Sequence, residues 1–133
     1  MVRARDPGGP LQKTPLICII DDDELVRVAT AGLVKSLGYR ANTFASADEF
    51  LRSPDVSEAS CLILDVQMPR MSGIELQRVL RAKGIGTPII FVTAFPEEKS
   101  RSPDDASSFM LSKPLDSNVL VECLAAALAK TGG

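Results

Sequence analysis

The chain has 133 residues, of which 45% are hydrophobic and 24% are charged, and its formal net charge is -2. This length suits one compact domain with a single buried core. The near-neutral charge gives no basic surface for nucleic acid, so direct nucleic acid binding is not expected. Because the chain has no histidine, serine-histidine and cysteine-histidine catalysis are excluded, and so is the commonest zinc ligand.

Residues 1–15 are rich in Pro and Gly and lack periodicity, which predicts a mobile leader ahead of an ordered domain over residues 16–130 and a tail over 131–133. The first apolar run, Leu16–Ile20, is too short for a signal peptide or a membrane span. A cytoplasmic location without membrane contact is therefore the default expectation. Cys18, Cys61 and Cys123 lack paired spacing, and we interpret them as small core residues.

Strand and helix signals then alternate along the chain. Three continuous apolar strings have the length of strands that are buried on both faces: Leu16–Ile20, Cys61–Leu64 and Ile89–Val92. Two less apolar segments, Arg40–Phe44 and Phe109–Leu111, are typical of edge strands.

Helices are predicted between these strands. The first is marked by apolar residues at helical spacing and by Gly38 as a stop: Leu25, Val28, Ala29, Leu33 and Leu37. Ser46 with Glu49, and Ser72 with Glu75, have the capping-box spacing. Asp116 or Ser117 can cap a last helix, whose buried side would include Leu120, Cys123, Leu124, Ala127 and Leu128. The alternation predicts a parallel sheet covered by helices on both faces, with right-handed crossovers.

Polar residues follow four of the predicted strands, where ligands bind in open α/β sheets. They are Asp21, Asp22 and Asp23 after the first strand, Asp65 after the third, Thr93 after the fourth and Lys113 after the fifth. Two carboxylates roughly 4 Å apart repel by about 4 kcal/mol at an effective dielectric near 20, so a cation is needed among them. Oxygen ligands without histidine or thiolate favour Mg²⁺. Such a site suits phosphoryl chemistry, with a carboxylate as the nucleophile and a lysine and a hydroxyl to hold the phosphoryl oxygens.

Four motifs surround these residues: the run Ile19–Asp23, the segment Leu62–Pro69 followed by Met71–Gly73, the strand end Phe91–Ala94, and Lys113–Pro114. Together they resemble a bacterial two-component response regulator receiver domain. Ser36–Tyr39, Phe44–Ala47 and Ser72–Leu76 are further similar to the nitrogen-fixation-regulator subgroup. The likeness covers residues 16–130, and four motifs in order make chance agreement a poor explanation.

The resemblance implies a doubly wound five-stranded parallel sheet of strand order 2-1-3-4-5, the flavodoxin-like fold of chemotaxis regulators. It makes Asp65 the phosphoacceptor and Asp22 a Mg²⁺ ligand, with Asp21 as a second or outer-sphere ligand and Gln67 as a ligand through its carbonyl. Pro69 and Gly73 would shape the loop after the acceptor. These residues imply phosphorelay signalling rather than a turnover enzyme.

Further residues are expected to hold the phosphoryl group and transmit the signal. By the resemblance, Thr93, Lys113 and the Ala94 N–H would bind the phosphoryl oxygens, and Gln67 and Phe95 would tune its lifetime. Thr93 and Met110 would form the switch. The interval before Lys113 lacks the Gly-Ala pair and the regular fourth helix of the family, so residues 96–108 are predicted to be short or irregular.

The implied partners are a sensor histidine kinase or phosphotransfer protein and an unknown output protein, with a homodimer as a further expectation. No effector domain is evident in these residues, so output through protein contact is expected. Two alternatives stay open: a Mg²⁺-dependent aspartyl-phosphate phosphatase, which usually has a carboxylate where Gln67 stands, and a degenerate receiver that is never phosphorylated. Asp23 and Glu24 are interpreted as capping and solvation only.

Overall fold

The computed structural model describes residues 14–94 and 108–132, which form a five-stranded sheet flanked by helices. The strands are β1 (Leu16–Ile20), β2 (Arg40–Phe44), β3 (Cys61–Asp65), β4 (Ile89–Thr93) and β5 (Ser108–Ser112). Every neighbouring pair is parallel, and the order is β2-β1-β3-β4-β5, which confirms the predicted fold. Residues 1–13 of the predicted leader, Phe95 and residues 96–107 lie outside the described residues. Ser108, the last residue of the segment predicted to be short or irregular, is the first residue of β5.

Five helices connect or follow the described strands: α1 (Glu24–Ser36), α2 (Ala47–Leu51), α3 (Asp55–Glu58), α4 (Gly73–Ala82) and α5 (Ser117–Gly132). The Ser46 hydroxyl accepts from the Glu49 N–H, and Ser72 and Glu75 form a reciprocal capping box, as predicted. The Asp116 carboxylate accepts from the first turn of α5. Sequence reasoning did not predict α3.

The sheet separates two apolar clusters because successive side chains of a strand point to opposite faces. On one face, β1 and β3 present Ile17, Ile19 and Ile63 to α1 and α5. On the other, Cys18, Ile20 and Leu62 pack with residues of α2 and α4. Burial raises the pKa of the Cys18 and Cys61 thiols to about 12, in agreement with their interpretation as core residues.

The buried side of α1 differs from the prediction in its N-terminal half. Leu25 and Val28 are 81% and 64% exposed, whereas Thr30, Ala31 and Val34 are buried. Small and polar residues such as Ala and Thr contribute little to a hydrophobic pattern, so Leu25 and Val28 indicated the wrong face for this half, whereas Leu33 and Leu37 pack against the core as predicted. Within the described parts of the chain, no helix combines the length and the apolar character required to cross a bilayer.

Candidate functional site

Three charged side chains leave the carboxyl ends of their strands on one side of the sheet. Side chains two residues apart on a strand point to the same face of the sheet. Asp21 therefore points to the same face as Ile17 and Ile19. In the same way, Asp65 shares a face with Cys61 and Ile63, and Lys113 shares one with Phe109 and Leu111. These preceding residues all belong to the cluster under α1 and α5. The period-two geometry of the strands therefore brings acids and lysine together, although they are far apart in sequence.

The acids form one cluster at this edge. Carboxylate oxygens of Asp21, Asp22 and Asp65 all lie within 4.8 Å of one another. Asp21 and Asp65 are only 4% and 6% exposed, and Asp22 is exposed. The Lys113 Nζ atom lies 3.3 Å from Asp21 Oδ2 and 3.7 Å from Asp65 Oδ2, so one ammonium bridges the two buried carboxylates.

The electrostatics of the cluster are unbalanced. Burial, followed by repulsion from Asp21, raises the pKa of Asp65 from 3.8 to about 6, although Lys113 and the Gln67 N–H oppose the shift. Burial acts to lower the pKa of the Lys113 ammonium, but the carboxylates of Asp65 and Asp21 outweigh it and raise that pKa. One lysine thus leaves residual negative charge. Three clustered carboxylates without histidine or thiolate fit a hard divalent cation such as Mg²⁺.

The turn after β3 holds Asp65 in place. The Gln67 N–H donates to Asp65 Oδ1 at 3.2 Å, and the Gly73 N–H donates to the Val66 carbonyl at 2.9 Å. A Cβ atom at Gly73 would lie 2.5 Å from the Asp65 carbonyl oxygen, so α4 can approach the acceptor this closely only with glycine at its start. In the same turn, Arg70 has a φ of 71°, a left-handed conformation that is uncommon for a residue with a side chain.

The structure gives the positions of the other predicted site residues, but it does not test their roles. Thr93 is fully buried, and its carbonyl accepts the Lys113 N–H at 2.7 Å, while Ala94 is exposed directly after it. Met110 packs against the cluster on the α2 and α4 face. The roles assigned to Thr93, Ala94 and Met110, and to the Gln67 carbonyl, stay predictions.

Sequence reasoning did not single out Arg27, whose Nη1 donates to the Asp21 carbonyl at 2.7 Å. One signal could have found it. An arginine in the first turn of a helix is disfavoured by the helix dipole, which suggests a local acceptor that compensates.

A model of the family described as the response regulator receiver domain matches residues 17–125. The chain belongs to this family. The receiver is 44% identical over 81 residues to the response regulator protein TodT of Pseudomonas putida, an alignment that covers 61% of the chain and 36% of TodT. It is 34% identical over 129 residues to nodulation protein W of Bradyrhizobium diazoefficiens, covering 92% of the chain and 56% of that protein.

Solved structures agree with the fold of the receiver. A structure of FixJ-N aligns with a TM-score of 0.74 at 28% identity, covering 89% of the chain and 96% of that structure. The chain therefore spans a little over a third of TodT and a little over half of nodulation protein W, and nearly the full length of FixJ-N. These findings make the protein a response regulator receiver domain of two-component signalling, which confirms the family inferred from the motifs.

Proposed function

We propose that this receiver accepts a phosphoryl group on Asp65, with Mg²⁺, from a histidine kinase or a phosphotransfer protein. The observation that supports the proposal is the cluster in which Asp21, Asp22 and Asp65 lie within 4.8 Å of one another, with Lys113 bridging two of them. Of the three carboxylates, Asp65 is the one that belongs to a strand, as the last residue of the central strand β3, and the turn after β3 fixes it through the Gln67 N–H. It is the group best positioned to act as nucleophile.

The transfer is a displacement at phosphorus. An oxygen of the Asp65 carboxylate forms the new P–O bond while the P–N bond of a phosphohistidine breaks, and the leaving imidazole keeps the electron pair and takes a proton. Asp65 has a pKa of about 6 and is mostly ionised at neutral pH, as a nucleophile must be. When bound, Mg²⁺ supplies positive charge to the phosphoryl oxygens.

The chain's own residues then hold the product. Asp22 and Asp21, with the Gln67 carbonyl, would bind the cation. The Asp65 carboxylate would be a further ligand before it is phosphorylated. Lys113 can exchange its contact with Asp65 for a phosphoryl oxygen, because its ammonium is already 3.7 Å from Oδ2. Thr93, the last residue of the adjacent strand β4, and the N–H of Ala94, which follows it, would bind the remaining oxygens.

The modified domain acts as a signalling module and not as a turnover enzyme, since each molecule carries the phosphoryl group on its own carboxylate. We propose that the signal passes through Thr93 and Met110 to a protein contact, and that these residues do not themselves bind nucleic acid. A cytoplasmic location agrees with phosphoryl exchange with a kinase.

Incubation of the full chain with acetyl phosphate and Mg²⁺, followed by intact mass measurement, tests the proposal. One phosphoryl group should be gained, it should require Mg²⁺, and Asp65→Asn should abolish it. Asp48→Asn, a half-buried acid in the first turn of α2, is the matched control and should be labelled normally. Mg²⁺ binding without labelling would instead support a degenerate receiver, and continued release of phosphate over many turnovers would support a phosphatase.

A further inference from the structure

Arg27 lies in the first turn of α1, beside the acids that follow β1. Its backbone N–H donates to the Asp23 carbonyl at 3.0 Å, which places it on the helix, and its side chain returns to the preceding turn. There Nη1 donates to the Asp21 carbonyl at 2.7 Å, and the contact is partly buried. A cation at a helix N-terminus is disfavoured by the helix dipole, and this contact offsets that cost.

The Asp21 carbonyl needs such a donor because the strand ladder ends one residue earlier. The last paired residue of β1 is Ile20, opposite Phe44 and Leu64. Asp21 is nevertheless only 4% exposed, so water has little access to it. A buried carbonyl without a partner loses its hydrogen bonds to water without compensation, which destabilises the fold.

The remaining polar groups of Asp21 have partners in the same turn, in β2 and after β5. Its N–H donates to the Phe44 carbonyl at 3.1 Å, its Oδ1 accepts the Asp23 N–H at 2.9 Å, and its Oδ2 lies 3.3 Å from Lys113 Nζ. With Arg27 on the carbonyl, all four groups have partners. The conformation of Asp21, and with it the direction in which Asp22 leaves the turn, is therefore fixed by side-chain and backbone contacts together.

We propose that Arg27 is a positioning residue for the carboxylates that bind Mg²⁺ and the phosphoryl group. The guanidinium holds the Asp21 carbonyl, which keeps residues 21–23 in the turn that brings Asp21 and Asp22 within reach of Asp65. Without this contact, mutual repulsion of the acids would open the turn. The inference rests on the proposed function, and it assigns a role to Arg27, which is not itself a ligand of Mg²⁺ or of the phosphoryl group.

The sign of the effect on metal binding separates positioning from simple charge. If Arg27 acted only as a nearby cation, its removal would tighten Mg²⁺ binding, because like charges repel. If it positions the turn, its removal weakens Mg²⁺ binding. Loss of residues that orient metal ligands typically lowers metal affinity roughly 10- to 100-fold.

The experiment is an NMR titration of the full chain with Mg²⁺, without a phosphoryl donor, on the parent, Arg27→Gln and Arg27→Lys. Arg27→Gln should weaken Mg²⁺ binding about tenfold. Arg27→Lys keeps a charged donor of similar reach and should restore most of the affinity. Arg78→Gln, on the exposed surface of α4, is the control and should bind like the parent.

Amide hydrogen exchange provides a second measurement that does not depend on metal. The Asp23 N–H should exchange about tenfold faster in Arg27→Gln, while amides of β3 keep their protection, since a loss confined to the turn is a local opening. Mg²⁺ binding in Arg27→Gln that equals or exceeds that of the control would overturn the inference. If the parent itself does not bind Mg²⁺ or accept phosphoryl, the proposed function fails instead, and exchange at Asp23 still tests the contact.

Discussion

At the scale of single residues, Asp65 combines burial with the negative charge of its neighbours. Its pKa of about 6 lies above the value of 3.8 for an unperturbed carboxyl, so the folded state binds the proton more tightly than the unfolded state does. A raised carboxyl pKa stabilises the fold fully only below the unfolded pKa, and this contribution is lost as the pH rises through the folded pKa. At neutral pH the ionised Asp65 carboxylate therefore lowers the free energy of unfolding.

Asp65→Asn should be more stable than the parent at pH 7, by up to about 3 kcal/mol, because the neutral amide avoids the buried charge. The difference should shrink as the pH falls from about 6 to about 4, where the parent carboxyl is protonated. Urea unfolding of both proteins across this range measures it. Equal stability at pH 7 would show that Asp65 is well compensated in the folded chain.

Protons and Mg²⁺ should compete for the same carboxylate. A metal ligand must be deprotonated, so the apparent Mg²⁺ affinity should be constant above a pH of about 6 and fall about tenfold for each pH unit below it. Calorimetric titration with Mg²⁺ between pH 5 and about 7.5 tests this. Affinity that does not change through pH 6 would place the ion away from Asp65.

At the scale of elements, the approach of α4 to the end of β3 depends on a single glycine. In Gly73→Ala the new Cβ would meet the Asp65 carbonyl oxygen at 2.5 Å, so the backbone must shift. Such overpacking costs about 1–3 kcal/mol, and the displaced turn should also slow phosphorylation of Asp65.

Gly32→Ala is the matched control, because a Cβ at this exposed position in α1 meets nothing within 4 Å. Ala is a better helix former, so this variant should be more stable by about 0.5–1 kcal/mol. Denaturant unfolding and acetyl phosphate labelling of both variants give the comparison. A Gly73→Ala protein with parental stability and labelling would show that the turn adapts without moving Asp65.

The elements also show how far sequence reasoning reaches. The central strands and the acids at their ends were predictable. A continuous apolar run such as Ile89–Val92 is typical of a strand that is buried on both faces, and the carboxyl ends of parallel strands lie at one edge of the sheet. The buried face of α1 was not, since Leu25 and Val28 are larger and more apolar than the Thr30 and Ala31 that pack inward. Periodicity locates a helix better than it orients one.

Contacts between local turns were the least accessible to sequence reasoning. Arg27 reaches a carbonyl six residues earlier. Its place in the first helical turn indicates that a local acceptor exists, but no pattern of side-chain types encodes which backbone group that acceptor is. The positive φ of Arg70 was also missed, because residues other than Gly, Asn and Asp give no warning of that conformation. Lys113 and the acids, in contrast, were predicted to meet because charge balance required it.

At the scale of the whole molecule, the site exists only when the chain is folded. Its charged groups lie at the carboxyl ends of β1, β3 and β5, so the sheet order creates the cluster. A ligand that binds only the folded state stabilises it by mass action, by about 2.7 kcal/mol at one hundred times its dissociation constant. Mg²⁺ should therefore raise the unfolding temperature of the parent.

That increase should be largely lost in Asp22→Asn and in Asp65→Asn, whatever their stability without metal. Thermal unfolding with and without Mg²⁺ at pH 7.5, with Asp48→Asn as the control, measures the metal-dependent part alone. A similar increase in all four proteins would indicate an ionic-strength effect rather than binding at the acidic cluster.

The identity of the phosphoryl acceptor can be read directly by reducing the acyl phosphate with borohydride, which converts the modified aspartate to homoserine. After treatment with acetyl phosphate and Mg²⁺, peptide sequencing should find homoserine at position 65, and none when Mg²⁺ is omitted or when Asp65→Asn is used. Homoserine at Asp21 or Asp22, or an unmodified Asp65 in folded protein that binds Mg²⁺, would contradict the assignment of Asp65 as the acceptor.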